Sequence, residues 1–73
     1  MSRHKFLNHF GTNVRELRIK KGWTRKELAR HSGLAPNLIA SVEKGEVEIS
    51  LKMILQLMEG LGYTDDELLV NNI

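Results

Sequence analysis

Arg3, Lys5, Arg15, Arg18, Lys20, Lys21, Arg25, Lys26 and Arg30 place nine of the eleven basic residues of this 73-residue chain in its first thirty positions, beside only Glu16 and Glu27. The rest of the chain reverses the sign, setting Lys44 and Lys52 against seven acidic residues. A clustered positive field gains free energy by displacing counterions from phosphates, so this segregation points to a polyanion partner. On charge alone, a solvated surface that keeps the protein soluble accounts for it equally well. Other chemistries lack their residues. Without cysteine there is no disulfide framework and no thiolate zinc site. His4, His9 and His31 do not line one helical face and no carboxylate cluster joins them, so neither metal nor cofactor is expected. Ser, His and Asp residues follow no triad order, and Gly60-Leu61-Gly62 reads as a helix end, not a phosphate-cradling loop. No enzyme is expected.

The elements that must position these residues are short helices in one small domain spanning 1–73. A chain of 8.4 kDa buries only about 60% of its unfolded surface, too little to frame a deep catalytic cleft. No apolar run approaches the ~20 residues of a membrane span, and the first eleven residues hold no signal-peptide stretch. The expected location is cytoplasmic. Leu7, Phe10, Val14, Leu17 and Ile19 recur at helical spacing and stop at Lys20-Lys21-Gly22, leaving residues 1–5 as a flexible basic N-terminus. Thr24 and Glu27 form a capping box for a second helix, with Trp23 and Leu28 as its hydrophobic staple. That helix ends at His31-Ser32-Gly33, and Pro36 suits the first position of a third, running to Lys44 before Gly45. Glu46 to Ile49 alternates like a strand but has no partner, so it reads as an extended connector. Ser50 caps a fourth helix to Leu61. Tyr63, Thr64, Glu67 and Leu68 repeat the staple and box for a brief fifth, whose Asp65 and Asp66 suit a helix N-terminus.

The second helix, a tight turn at Ser32 to Ala35 and the third helix together make a helix-turn-helix. Leu28, Ala29, Leu34, Ile39 and Val42 face inward, Ala29 lets the helices cross closely, and Gly33 supplies the positive φ of the turn. In that geometry the second helix of the pair enters a DNA major groove while the first lies across the backbone. At this point the chain resembles a family. From Phe10 to Leu69 it is similar to the Xre group of phage-repressor and Cro-like helix-turn-helix proteins. Arg15, Leu17, Arg18, Gly22, Thr24, Glu27, Leu28, Ala29, Gly33, Leu34, Ile39, Val42, Glu43, Gly45, Ser50, Leu51, Leu61 and Leu68 match in order and register. The Val42-Glu43-Lys44-Gly45 turn and the Ser50-Leu51 and Ile54-Leu55 pairs look most like the small controller proteins of restriction-modification systems. The resemblance implies a five-helix, all-α, lambda-repressor-like fold and double-stranded DNA as partner. It also implies a structural ion pair between Arg18 and Glu43; if that pair is buried, stranding one charge costs about 3–5 kcal/mol.

Arg25 and Lys26 open a helix whose dipole is already positive there, so something other than helix stability must justify them. In the related complexes that helix end rests on the DNA backbone, which assigns both to phosphate. Thr24 is a capping residue first and a phosphate contact second. Lys44, Arg3 and Lys5 complete the phosphate candidates, against helix-dipole complementarity for Lys44 and a disordered tail for the other two. For base readout, Asn37 can bond adenine N6 and N7 as a pair, Ser41 reaches most bases, and Leu38 and Ala40 suit thymine methyl groups, with half-buried core the equal alternative for Leu38. The relatives carry polar residues where Ala35 and Pro36 stand. Together with Leu38 and Ala40, these two residues support the rival reading, a protein-interaction or antitoxin-like module with weak base readout.

The fourth helix is apolar over most of its circumference, so Met53, Leu57, Leu69, Val70 and Ile73 are expected to bury an excess apolar face in a homodimer, unless the core absorbs it. A two-fold dimer would read two half-sites of a palindromic operator. With no room for a sensor domain, no small-molecule effector is expected, and protein concentration is the expected input. Activation would need RNA polymerase, for which Glu43, Glu46 and Glu48 form a candidate acidic rim.

Overall fold

A computed structural model describes residues 2–62; the fifth helix expected after Thr64 and the interface candidates Leu69, Val70 and Ile73 lie outside them. Among the described residues there are four helices and no strand: α1 (Arg3–Lys20), α2 (Arg25–Ser32), α3 (Pro36–Glu43) and α4 (Leu51–Leu61). None is long and apolar enough to cross a membrane.

Each boundary has a local chemical cause. The hydroxyl of Ser2 accepts the backbone N–H of Lys5 at 3.1 Å, which satisfies one of the orphan donors of the first turn. Arg3 and Lys5 therefore belong to α1, not to a flexible tail as their charge suggested. At the other end Ile19 leaves the apolar stripe and is 51% exposed. Thr24 and Glu27 close a reciprocal box: the Thr24 N–H donates to Glu27 Oε1 at 2.8 Å, and the Glu27 N–H donates to Thr24 Oγ1 at 3.1 Å. α2 ends at Gly33, whose φ is +77°. α3 starts on Pro36 without a side-chain cap at Ala35, and it stops at Glu43, with Lys44 as C-cap. Ser50 caps α4 through the Met53 N–H at 3.1 Å.

The core joins all four helices. Phe10, Val14 and Leu17 of α1, Leu28 and Ala29 of α2, Ile39 and Val42 of α3, and Leu57 and Leu61 of α4 form one buried cluster. Two glycines bring backbones together. A Cβ on Gly11 would run into the carbonyl oxygens of Val42 and Glu43, so α1 lies directly on the end of α3. A Cβ on Gly60 would stand 2.9 Å from Ser32 Cα, so α4 abuts the end of α2. Beside it Gln56 Nε2 donates to the Ser32 carbonyl at 3.2 Å, satisfying one of the carbonyls that a helix C-terminus leaves open.

The phase of α4 corrects the expected interface. Leu57 is fully buried in the core and cannot form an outer face, while Met53 is half-buried and packs against that core. Residues at i, i+4 and i+7 share a helix face. With Leu57 and Leu61 inward, the outward positions are Leu51, 70% exposed, and Leu55, 51% exposed, with half-buried Met58 below them.

The box at α2 has a pH signature. Hydrogen bonding from the Thr24 backbone N–H, then from its hydroxyl, holds the Glu27 carboxyl below its ordinary value, with Arg30 and His31 adding to the effect. A carboxyl depressed in the folded state stabilises the fold above its unfolded pKa and loses that contribution as pH falls through the folded value. Thermal melts of wild type and Glu27→Gln should therefore differ most near neutral pH, with wild type higher, and converge as pH drops through and below the usual carboxylate range.

Candidate nucleic-acid interface

Burying Ile39, Val42 and Glu43 sets how the other side chains of α3 face. Asn37 is exposed; Leu38, Ala40 and Ser41 are half-buried; Lys44 is exposed at the C-terminal end. The helix is eight residues long, hence roughly 12 Å, and an α-helix with its side chains is about 10–12 Å across, which suits a groove about 12 Å wide. Ala35 provides no side-chain cap for the first turn of α3.

The electrostatic centre of this region is Glu43, whose side chain is only 1% exposed. Arg18 Nε donates to Oε2 at 2.7 Å and a terminal amino group of Arg18 donates to Oε1 at 3.1 Å. The other amino group of Arg18 donates to the Trp23 carbonyl at 2.8 Å. Arg25 Nε also donates to Oε1, at 3.0 Å. Three helices thus converge on one carboxylate. Because Glu43 lies under two guanidinium groups, it is no part of an acidic rim; that rim reduces to the exposed Glu46 and Glu48.

The Arg25 contact sets the layout of the basic candidates. It brings the first turn of α2, with exposed Thr24 and Lys26, beside the last turn of α3 and Lys44. These four form one corner bordering the outer face of α3. The corner carries excess positive charge, since two arginines share one carboxylate. Arg3 stands apart: its guanidinium meets Glu48 at 2.7 Å, with both side chains largely exposed. Such a surface pair contributes ~0–1 kcal/mol, weak enough for a stronger anion to displace it. Lys5 is exposed on the same turn of α1.

Sequence reasoning did not find the Arg25–Glu43 contact, because eighteen positions separate the two and no local rule pairs a helix start with another helix's end. Trp23 is half-buried against the core, and its ring also stacks on His31 at 4.1 Å with 1° between the planes. Lys21 Nζ lies 5.2 Å from the Trp23 ring centroid, a cation–π contact that braces the turn between α1 and α2.

Comparison with known proteins identifies the fold and the family. The helix-turn-helix family profile matches residues 14–68. The chain is 36% identical over 58 residues to the "Neisseria hypothetical transcription factor" of Neisseria meningitidis serogroup B, covering 80% of this chain and 55% of that protein, so it spans about half the length of that relative. It is 35% identical over 63 residues to an uncharacterized HTH-type transcriptional regulator of Archaeoglobus fulgidus, covering 77% of this chain and 90% of that one. Its structure is similar to that of the restriction-modification controller protein C.AhdI from Aeromonas hydrophila, with a TM-score of 0.81, 40% identity, and coverage of 85% of this chain and 94% of the other.

The two arginines should differ in stability terms. Arg18→Ala removes the guanidinium that is 11% exposed and leaves Glu43 largely buried with half its partners, a loss of about 3–5 kcal/mol. Arg25→Ala removes one that is 40% exposed and leaves Arg18 in place, a loss of about 1 kcal/mol. Urea unfolding of the two variants measures the contrast.

Proposed function

This chain belongs to the helix-turn-helix family of DNA-binding transcription regulators, and from that premise we propose that it acts as a controller-type regulator, a cytoplasmic homodimer on a palindromic operator. α3 enters the major groove, where Asn37 is the principal base reader, Ser41 a second, and Leu38 and Ala40 meet thymine methyl groups. Thr24, Arg25, Lys26 and Lys44 hold the flanking phosphates, and Arg3 and Lys5 reach further along the backbone. One observation carries this reading: α3 buries Ile39, Val42 and Glu43 but exposes Asn37, and its C-cap Lys44 is exposed beside the basic start of α2.

Dimerisation is supported by the exposed Leu51 and Leu55 on α4, to which Leu69, Val70 and Ile73 would add apolar surface. A single short helix touches few bases, whereas two copies on one side of DNA address half-sites about 34 Å apart. Glu46 and Glu48 are exposed and too acidic to contact phosphate themselves, although Glu48 pairs with Arg3; RNA polymerase is the partner they would suit if the regulator activates.

Two measurements test the reading. Binding to duplexes selected from a random pool should weaken linearly in log salt, and Lys26→Ala/Lys44→Ala should flatten that slope by about one unit per lost phosphate contact. Asn37→Ala should cost about 1–3 kcal/mol on the selected sequence and little on mixed DNA; equal loss on both would place Asn37 on the backbone, and no binding at low salt would return the chain to a protein-interaction role. In sedimentation, wild type should run as a dimer and Leu55→Glu as a monomer; a wild-type monomer at high concentration sinks the α4 interface.

A further inference from the structure

Arg18 and Arg25 hold the same carboxylate in different ways. Arg18 spends Nε and one amino group on Glu43 and the other amino group on the Trp23 carbonyl, and its side chain is 11% exposed. Arg25 meets Glu43 through Nε, at 3.0 Å, and its side chain is 40% exposed. A guanidinium has five N–H donors in a rigid plane, so the pair leaves the four terminal donors of Arg25 outside it. Their outer edge is the one that matches a phosphate with two parallel hydrogen bonds.

We propose that Glu43 is a positioning residue for DNA binding: by holding Nε of Arg25, it fixes the guanidinium plane so that the terminal amino groups form a ready fork for one backbone phosphate. The proposal rests on the reading that Arg25 contacts phosphate, and it adds the reason the contact is strong. A long side chain normally has to be ordered when it binds, whereas this one is already ordered by a carboxylate of the core. Arg18, Arg25 and Glu43 together carry one net positive charge at the first turn of α2, where the helix dipole is also positive, so a phosphate completes the group without displacing Glu43. Glu43 is also the last residue of α3. The same carboxylate thereby relates the phosphate contact to the helix proposed to enter the groove. Lysine cannot substitute, because an ammonium is a point charge without a second edge in the same plane.

The test compares wild type, Arg25→Lys and Arg25→Ala on one selected duplex across a salt series, with circular dichroism confirming that each is folded at the measuring temperature. Arg25→Ala should flatten the salt slope by about one unit per bound subunit. Arg25→Lys should keep the wild-type slope and lose about tenfold in affinity at every salt concentration. An unchanged slope in Arg25→Ala overturns the phosphate contact itself and the proposal with it. A flattened slope in Arg25→Ala with wild-type affinity in Arg25→Lys keeps the contact and overturns the positioning by Glu43. Glu43→Gln, read below its own melting temperature, supplies the cross-check: it should lose affinity in the wild-type background and none in Arg25→Lys, and equal losses in both overturn the proposal. Should Glu43→Gln not fold, the lysine variant alone decides.

Discussion

The carboxylate of Glu43 sits almost entirely out of water beneath two guanidinium groups, and a charge in that position is tolerable only while its partners stay in place. Arg18 approaches from α1 and Arg25 from the start of α2, while Glu43 itself ends α3. Satisfying one group therefore fixes three elements relative to one another. Arg18 extends the constraint by donating to the Trp23 carbonyl, which ties the turn between α1 and α2 to the same centre. Apolar burial supplies the bulk of the stabilisation in such a domain but is indifferent to direction. The ion pairs add direction, since a guanidinium fork meets a carboxylate in few orientations.

Around that centre the helices divide the work of holding α3. α1 supports its C-terminal end through the bare backbone of Gly11. α2 packs Leu28 and Ala29 into the same core as Ile39 and Val42. α4 supports the pair from below, with Gly60 against Ser32 and Gln56 on the Ser32 carbonyl, at the point where the chain turns from α2 into α3. Among the described residues this arrangement leaves Asn37 on the outer side of α3 exposed, and the charge left over from the Arg18–Arg25–Glu43 group lies next to it. Fold and candidate interface thus share residues.

Features governed by neighbours in the chain were legible before any coordinates. Thr24 and Glu27 announce a helix start because both halves of their box lie within one turn, and Pro36 announces another because its ring pre-sets φ and lacks an N–H. Ser2 could have been read in the same way from its place ahead of Arg3, but basic charge drew the reading toward a tail. α4 was harder. With apolar residues on most of its circumference, sequence periodicity offers no single inward face, and Leu57, expected at an outer face, is the most deeply buried residue of its helix. The contact between Arg25 and Glu43 had no signal in the chain at all.

By itself the amino-acid sequence determined the all-helical class, most of the helix boundaries, the helix-turn-helix and its family, and the likeness to controller proteins, because these rest on interactions a few residues apart or on a pattern of types in register. Tertiary structure alone decided which side of α4 meets solvent, that Glu43 belongs to the interior, and which arginine keeps free donors. The physical reason is the same in each case. Those outcomes depend on which surfaces meet when separate helices pack, and side chains eighteen or more positions apart acquire a distance only after the core has closed around Phe10, Leu28, Ile39 and Leu57.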